Sequence, residues 1–198
     1  MAAVNVAVEG STDRAVIARV LSVAGLDLGT VYGQKGKAHL DSCLKGFNHS
    51  AKYRPWIVVR DLDQDAACAA DLVATLLPEP ATWMRLRIAA RAIESWLLAD
   101  AESLASFLSI EMTKVPSEPD ALPDPKAVLI GLARKSRRRT LVDELVPRAG
   151  SSRQVGPGYA ARMAEFASSR WRPLVARTHS DSLARCIDRV AELSLFQV

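Results

Sequence analysis

Two short apolar runs, each followed by acidic residues, most strongly restrict the folds open to this chain. The runs AAVNVAV at 2–8 and WIVV at 56–59 are nearly continuous and rich in β-branched residues. Strands of this kind are buried on both faces, as in parallel sheets covered by helices. A helical pattern follows the first run, with Val16, Ile17 and Val20 on one face. The alternation predicts an α/β fold in which right-handed crossovers join the strands of a mainly parallel central sheet.

The remaining sequence divides into three parts. GTVYG and ATWMRLRIAA read as further strands, the second near a sheet edge, and RAIESWLLADAESLASFL reads as a helix. These complete an α/β domain over residues 1–108. Four prolines mark residues 109–125 as a linker. Residues 126–198 show helical patterns alone, which predicts a basic helical subdomain packed on the first domain.

Charge is divided unevenly along the chain. Residues 1–125 carry 12 Lys/Arg against 16 Asp/Glu, a net charge of −4, whereas residues 126–198 carry 14 against 6, a net charge of +8. A basic surface favours a polyanionic partner such as nucleic acid, although arginines are also common on solvated helices. The densest cationic segment, which could contact a phosphate backbone, contains Arg134, Lys135, Arg137, Arg138 and Arg139.

The cysteines and the apolar runs indicate the compartment. Cys43, Cys68 and Cys186 are odd in number and widely spaced, without a CxxC motif, as expected of reduced thiols in the cytoplasm. No run reaches 18 apolar residues, and the N-terminus lacks the basic region of a signal peptide. We therefore expect a cytoplasmic protein that does not span a membrane.

Carboxylates follow three of the predicted strands. Glu9 comes after the first run, Asp61 and Asp63 after WIVV, and Glu94 after WMRLRIAA. Ligands of open parallel sheets bind outside the carboxyl ends of the strands, so these acids should meet at one edge. If the chain stays extended after WIVV, Asp61 and Asp63 point the same way. For Asp65 and Asp100 we favour the capping of a following helix.

The helix after the first run should begin with a side-chain cap from Ser11 or Thr12. Asp13 in its first turn should complement the helix dipole.

A cluster of carboxylates needs compensating positive charge, because like charges raise one another's pKa. Oxygen ligands without nearby histidine or cysteine are typical of Mg²⁺ or Mn²⁺ rather than zinc. Such an ion keeps waters and binds substrate phosphate. The pattern therefore predicts phosphoryl-transfer or phosphodiester chemistry.

The segments VEGSTDRAVIARVL and WIVVRDLDQD together resemble the TOPRIM domain. This is the Rossmann-like catalytic fold of topoisomerases, primases, small ribonucleases and overcoming-lysogenization-defect (OLD) nucleases. The resemblance implies that Glu9 is a general acid/base and that Asp61 and Asp63 bind the metal ion. It also implies that Gly10 and Thr12 form the turn after the first strand.

Two further segments, YGQKGKAHL and RAIESWLLAD, are similar to those of stand-alone TOPRIM-like relatives of the OLD nucleases. Lys35 and Lys37 lie in the matching segments, and as cations on a glycine-containing turn they either hold a phosphate or belong to a solvated loop. Glu94 is a further metal ligand, or an acid that complements a helix dipole. Trp96 is expected to pack in the core. The chain has no GxxxxGK[ST] motif, and because such relatives are often paired with a separate ABC-like or AAA-type ATPase, that partner is implied.

Three functions remain open from the sequence. The favoured one is a Mg²⁺- or Mn²⁺-dependent TOPRIM phosphodiesterase, most simply a nuclease acting on DNA or RNA. The second is a non-catalytic or conditionally active subunit of an ATPase-containing phage-defence or DNA-repair complex. The third is a small-molecule phosphatase, since DxD clusters also occur in such enzymes.

Overall fold

A four-stranded parallel sheet forms the centre of the computed structural model, which describes residues 3–196. Its strands lie in the order β2-β1-β3-β4, and all three pairings are parallel. The strands are β1 (Ala3–Val8), β2 (Asp27–Gly33), β3 (Trp56–Asp61) and β4 (Met84–Ala89). The predicted α/β fold with a parallel central sheet flanked by helices is confirmed.

Burial explains why the two apolar runs occupy the middle of the sheet. Val6 of β1 pairs with Ile57 of β3, and both side chains are fully buried. β4, which alternates apolar and basic residues, lies at one edge, as predicted. β2 forms the other edge and leaves Tyr32 39% exposed. The two most hydrophobic strands therefore meet at the centre.

Helices cover both faces of the sheet. The α-helices are α1 (Ser11–Val23), α2 (Lys37–Ser50), α3 (Ala69–Leu76), α4 (Glu94–Leu98), α5 (Ala101–Leu108), α6 (Pro125–Ala133), α7 (Arg139–Leu145), α8 (Tyr159–Ser169), α9 (Pro173–Ala176) and α10 (Asp181–Ala191). Helices α2 and α3 contribute to one apolar cluster with Ala7 and Val58. Helix α1 and helices α4 to α10 contribute to the larger cluster on the opposite face, with Val6 and Ile57. No helix within 3–196 has the length and apolarity needed to cross a membrane.

The C-terminal helices share their core with the sheet. Helix α8 packs on α1, and Met163 and Phe166 are fully buried in the same cluster as Val16 and Ile17. Beyond residue 125 the described chain forms helices without strands, as predicted. The division into domains at 109–125 stays a prediction.

The proline-rich segment is ordered by short helical turns and by hydrogen bonds. It contains 3₁₀ turns at Met112–Lys114 and Pro119–Ala121. The Asp120 carboxylate accepts hydrogen bonds from Ser180 Oγ at 2.8 Å and from Ser182 N at 2.9 Å. A third 3₁₀ turn, Glu192–Leu195, follows α10.

The single helix predicted over 91–108 is instead two helices separated at Asp100. This residue is fully buried, and its carboxylate caps α5 by accepting a hydrogen bond from Ser103 N at 3.4 Å. Its two oxygens also bind Arg172 of the C-terminal part, at 2.6 and 2.9 Å. The capping role expected of Asp100 is confirmed, and so is core packing for Trp96, which is fully buried.

A close approach of two strands shapes the edge where the carboxylates lie. Gly33 ends β2 with φ of 86°, and a Cβ there would lie 2.3 Å from the carbonyl oxygen of Val8. Only glycine fits such a position. Beyond it, Gly36 N donates a hydrogen bond to the Glu9 carbonyl at 3.1 Å. The lysine-containing turn is thereby fixed beside the end of β1.

Candidate active site

The crevice between the ends of β1 and β3 is the switch point of this sheet. The chain leaves β1 toward β2 on one side, whereas β3 and β4 lie on the other. Ligands of open α/β sheets bind at such a point. Glu9 follows β1, and its Oε1 accepts a hydrogen bond from Asp61 N at 2.9 Å across the crevice. The two acids predicted at these strand ends are therefore in direct contact.

Asp61 lies at the centre of a group of four carboxylates. Its Oδ1 accepts a hydrogen bond from Ile93 N at 2.8 Å. Burial raises the pKa of Asp61 well above its usual value, and repulsion from Asp13, Glu94 and Glu9 adds to this effect. Burial also raises the pKa of Glu9, against the opposing hydrogen bond from Asp61 N. The charged forms of these groups are therefore costly in the absence of a cation.

The fourth carboxylate, Asp13, was predicted only to complement the dipole of α1. Its side chain is buried and its Oδ2 accepts a hydrogen bond from Gly10 N at 2.8 Å. Burial, followed by repulsion from Glu94 and Glu9, raises its pKa to about 6. The EGxTD spacing could have revealed it, because residue 13 lies one helical turn from the strand end.

The turn after β1 is built differently from the sequence prediction. Ser11 or Thr12 was expected to cap α1, but Gly10 is the N-cap residue, and its backbone N–H is satisfied by the Asp13 side chain from the first turn. Thr12 is buried in the first turn. Gly10 has φ of −149°, which other residues adopt equally well, so the backbone here does not need glycine.

Replacing Asp13 with asparagine should stabilise the protein above pH 6. A carboxyl whose pKa rises from 3.8 to about 6 on folding binds its proton more tightly in the folded state, so stability falls as pH rises through that window. The cost reaches about 3 kcal/mol at neutral pH. Asparagine avoids this cost while its carbonyl still accepts from Gly10 N.

Denaturant titrations of Asp13→Asn and wild type at pH values on both sides of this window measure the effect. The stability difference should open as pH rises from about 4 to about 6 and then remain constant. A difference that does not change with pH would contradict the assigned environment of Asp13.

Two helices of the C-terminal part contact Glu94, the first residue of α4. Tyr159 Oη donates a hydrogen bond to Glu94 Oε1 at 3.0 Å, and Lys126 Nζ lies 3.6 Å from the same atom. Within 3–196 the buried Oε2 of Glu94 has no hydrogen-bond partner. Burial acts to lower the pKa of Lys126, but the carboxylates of Glu94 and Asp61 outweigh it and the pKa is raised. Lys126 therefore faces the carboxylate group from the side of Glu94 and Asp61, whereas Arg60 and Lys37 act on Glu9.

Sequence reasoning missed both Lys126 and Tyr159. Neither belongs to a motif, and each is more than 30 residues from Glu94 along the chain. One feature of the sequence could have indicated Lys126. It lies in the first turn of α6, where the positive end of the helix dipole makes a cation unfavourable. A cation in that position suggests an anionic neighbour elsewhere in the fold.

Asp63 and Asp61 do not converge, because the chain does not remain extended after β3. Asp63 has φ of 49°, in the left-handed region. Its backbone N donates to the Arg91 carbonyl at 2.8 Å, and Arg91, with φ of 58°, donates back to the Asp63 carbonyl at 2.7 Å. The Asp63 carboxylate accepts a hydrogen bond from Lys37 Nζ at 2.7 Å. It lies in an ion pair, whereas Asp61 faces Ile93.

The Lys37 charge is shared between two carboxylates. Besides Asp63, it contacts Asp65 at 2.9 Å, and Asp65 also binds the buried Arg60 at 2.6 Å. Asp65 therefore does not cap α3, which was its expected role; the N-cap residue is Cys68. Lys35 is exposed. Of the two lysines predicted to hold phosphate, only Lys35 is free of these ion pairs.

An open cleft adjoins the carboxylate group. Its volume is about 260 Å³, and Lys126, Arg91 and Asp63 are among its lining residues. Because Lys126 also contacts Glu94, the cleft leads toward the buried acids. A phosphate entering here would meet Lys126 and Arg91.

The basic segment lies at the other end of α6. Lys126 is in the first turn, and the helix ends at Ala133, immediately before Arg134. Eight residues of helix separate Lys126 from Arg134 by about 12 Å. The five cations of the basic segment are exposed, and Arg139 pairs with Asp143 at 3.3 Å. One helix thus connects the predicted phosphate-binding segment with the carboxylate group.

The comparisons give no independent identification. No family model matches the chain, and no curated protein or solved structure is significantly similar to it. Within residues 3–196, no three His, Cys, Asp or Glu side chains form a ready-made metal cage. The site is accordingly defined by its own geometry, as a switch-point crevice with four acids and a facing lysine.

Proposed function

We propose that the protein is a Mg²⁺- or Mn²⁺-dependent phosphodiesterase of the TOPRIM type that cleaves nucleic acid. The observation that carries the proposal is the group of four carboxylates, Glu9, Asp13, Asp61 and Glu94, at the switch point of a parallel sheet. Asp13 and Glu94 are buried and Glu9 and Asp61 are half-buried, and such a concentration of acid is costly without a cation. Clefts that combine shifted pKa values with such charge pairs are candidates for catalysis.

The donors fit a hard divalent cation. All are carboxylate oxygens, and Oε2 of Glu94 is buried without a hydrogen-bond partner among residues 3–196. Mg²⁺ is commonly held by one or two carboxylates together with waters and substrate phosphate, so a complete protein cage is not needed. We assign Asp61 and Glu94 as its ligands. Asp63, a ligand on the TOPRIM resemblance, is assigned instead to its ion pair with Lys37.

The chain's own residues account for proton transfer and orientation. A bound divalent ion would supply a Lewis acid and a more acidic water. Glu9 is held by Asp61 N, and its raised pKa suits a group that accepts a proton near neutral pH. Lys126 places positive charge where the substrate phosphate would enter. Tyr159 fixes the orientation of Glu94.

The basic segment at the end of α6 supports a polymeric substrate. A phosphodiester at the carboxylates would leave the adjoining backbone within reach of cations about 12 Å away along α6. A small phosphate ester bound at the carboxylates would be too short to contact these cations. The same reasoning favours a nuclease over a phosphatase.

A cleavage panel tests the proposal. Labelled DNA and RNA strands are incubated with the purified protein and Mg²⁺, Mn²⁺ or a chelator, with Asp61→Asn as the control. We expect cleavage that needs the ion and is lost in the variant. Turnover of generic phosphate esters without cleavage of either polymer would contradict the proposal and favour the phosphatase. Cleavage only after addition of an ATPase would favour a conditionally active subunit.

A further inference from the structure

Four arginines line the contact between β4 and α10, a surface that the sequence did not single out. Arg85 and Arg87 project from the same face of β4, because residues two apart in a strand share a face. Helix α10 packs against this strand. One turn of that helix separates Arg185 from Arg189, about 6 Å along its axis. We call these four residues the arginine seam.

Contacts at both ends of the arginine seam show how α10 is oriented relative to β4. Arg85 Nε donates to the Arg189 carbonyl at 3.3 Å, near the start of β4. At the other end, Trp96 Nε1 donates to Ser182 Oγ at 2.7 Å, beyond the end of β4. Helix α10 therefore runs antiparallel to the strand. Following β4 along the seam leads to Ala89, and then to Arg91 in the cleft beside the carboxylates.

The seam carries more positive charge than its neighbours compensate. Glu192 is shared between Arg85 at 3.2 Å and Arg189 at 2.7 Å. Asp181 pairs with Arg185 at 2.7 Å, and these two side chains are 71% and 73% exposed. Among the described residues, two carboxylates thus pair with three of the four guanidinium groups. Solvent-exposed pairs of this kind contribute little and exchange readily with other anions.

Arg87 is the residue that points to a ligand. It is half-buried, its Nε is fully buried, and within 3–196 that nitrogen has no hydrogen-bond partner. It forms no ion pair within the same range. Burial lowers its pKa, and repulsion from Arg189 and Arg185 acts in the same direction, against Cys186 and Glu192. A buried donor without an acceptor is costly. An anion placed between these three arginines would remove both the missing hydrogen bond and the repulsion.

We infer that the arginine seam binds the phosphodiester backbone of the nucleic acid and guides it along β4 into the cleft. Arginine suits this role because its planar fork of donors matches phosphate oxygens. The seam would form a second contact region beside the one at Arg134–Arg139. The identity of the polyanion rests on the proposed function, whereas anion binding by the seam does not.

The salt dependence of DNA binding measures how many phosphates the arginine seam contacts. Binding of labelled single-stranded and duplex DNA is followed between roughly 50 and 200 mM salt. Asp61→Asn serves as the background, so that no strand is cut. If each arginine contacts one phosphate, combining R87Q, R185Q and R189Q should lower the slope of log affinity against log salt by about 2 for a single strand. The double variant R185Q/R189Q, which changes only exposed residues, should lower it by about 1.4.

A matched variant controls for the loss of net charge. Lys52 and Arg54 are exposed residues between α2 and β3. Helix α2 covers the face of the sheet opposite to the face on which α10 packs. K52Q/R54Q removes the same two charges as the exposed double variant and should leave the slope unchanged. Thermal melting confirms that each variant is folded.

The outcomes separate the inference from the proposed function. Equal slopes for R185Q/R189Q and for the Asp61→Asn reference protein would overturn the proposal that the arginine seam binds phosphate, even if the wild type cleaves nucleic acid. Loss of slope in the seam variants but not in K52Q/R54Q would support the seam, even if the cleavage panel were negative. Equal losses in both double variants would reduce the effect to general charge and also overturn the seam.

Discussion

Replacing Glu9 with glutamine should reduce metal-dependent cleavage by a factor on the order of 10² to 10⁴, the range typical of a lost general acid or base. Glutamine keeps the length of the side chain, and its carbonyl can still accept from Asp61 N, as Glu9 Oε1 does at 2.9 Å. It cannot accept a proton near neutral pH. The fold should therefore be retained while the rate falls, measured in single-turnover assays with saturating Mn²⁺.

Substrate binding separates proton transfer from a merely structural role for Glu9. If Glu9→Gln binds DNA as tightly as wild type and unfolds at the same temperature, the loss lies in the chemical step. A pH–rate profile adds a second readout, because the limb that reports the ionisation of Glu9 should disappear. A purified Glu9→Gln protein that cuts as fast as wild type would refute the assignment.

Replacing Asp61 with asparagine should abolish cleavage and also stabilise the protein at pH 8 without metal. Burial and three neighbouring acids raise the pKa of this carboxyl well above its usual value. Its ionised form therefore costs folding energy at pH 8, and the cost disappears as pH falls and the carboxyl binds its proton. Asparagine is neutral throughout, and its carbonyl can accept the hydrogen bond from Ile93 N. A gain of 1 kcal/mol would raise the melting temperature by about 2–4 °C.

Melting curves at several pH values, with and without Mg²⁺, check this expectation. The gain of Asp61→Asn over wild type should shrink toward acidic pH. It should also shrink on addition of Mg²⁺, which stabilises only a chain that retains its ligands. A variant that is less stable than wild type at pH 8 would show that Lys126 already compensates the charge of Asp61, and the need for a cation would lapse.

Local patterns were sufficient to predict the sheet and two acids at one edge of it. The β-branched runs at β1 and β3 read as buried strands, each followed by an acid, so parallel topology placed Glu9 and Asp61 at one edge of the sheet. The structure adds the hydrogen bond from Asp61 N to Glu9. The edge position of β4 followed from its alternating basic residues. These are properties of neighbours in sequence.

Contacts between distant segments were not predictable in this way. The pairing of Glu94 with Lys126 and Tyr159 depends on how α6 and α8 dock on the sheet, which no periodicity specifies. The orientation of Asp63 was missed because the prediction assumed an extended chain, whereas a left-handed residue follows the strand. The break at Asp100 was missed because helical periodicity continues through it, whereas the Asp100 carboxylate caps α5 and is bound by Arg172, 72 residues away.

The contacts of Glu94 have a consequence for the order of events during synthesis. Glu94 receives its hydrogen bond and its nearest cation from residues 159 and 126, so a ribosome must release most of the chain before Glu94 has both partners. The sheet of a nascent chain can form earlier, since domains generally fold from the N-terminus. With the proposed activity, a nascent chain would lack both contacts of Glu94 until α6 and α8 dock, and a product that ends before residue 159 should be less active than the full chain.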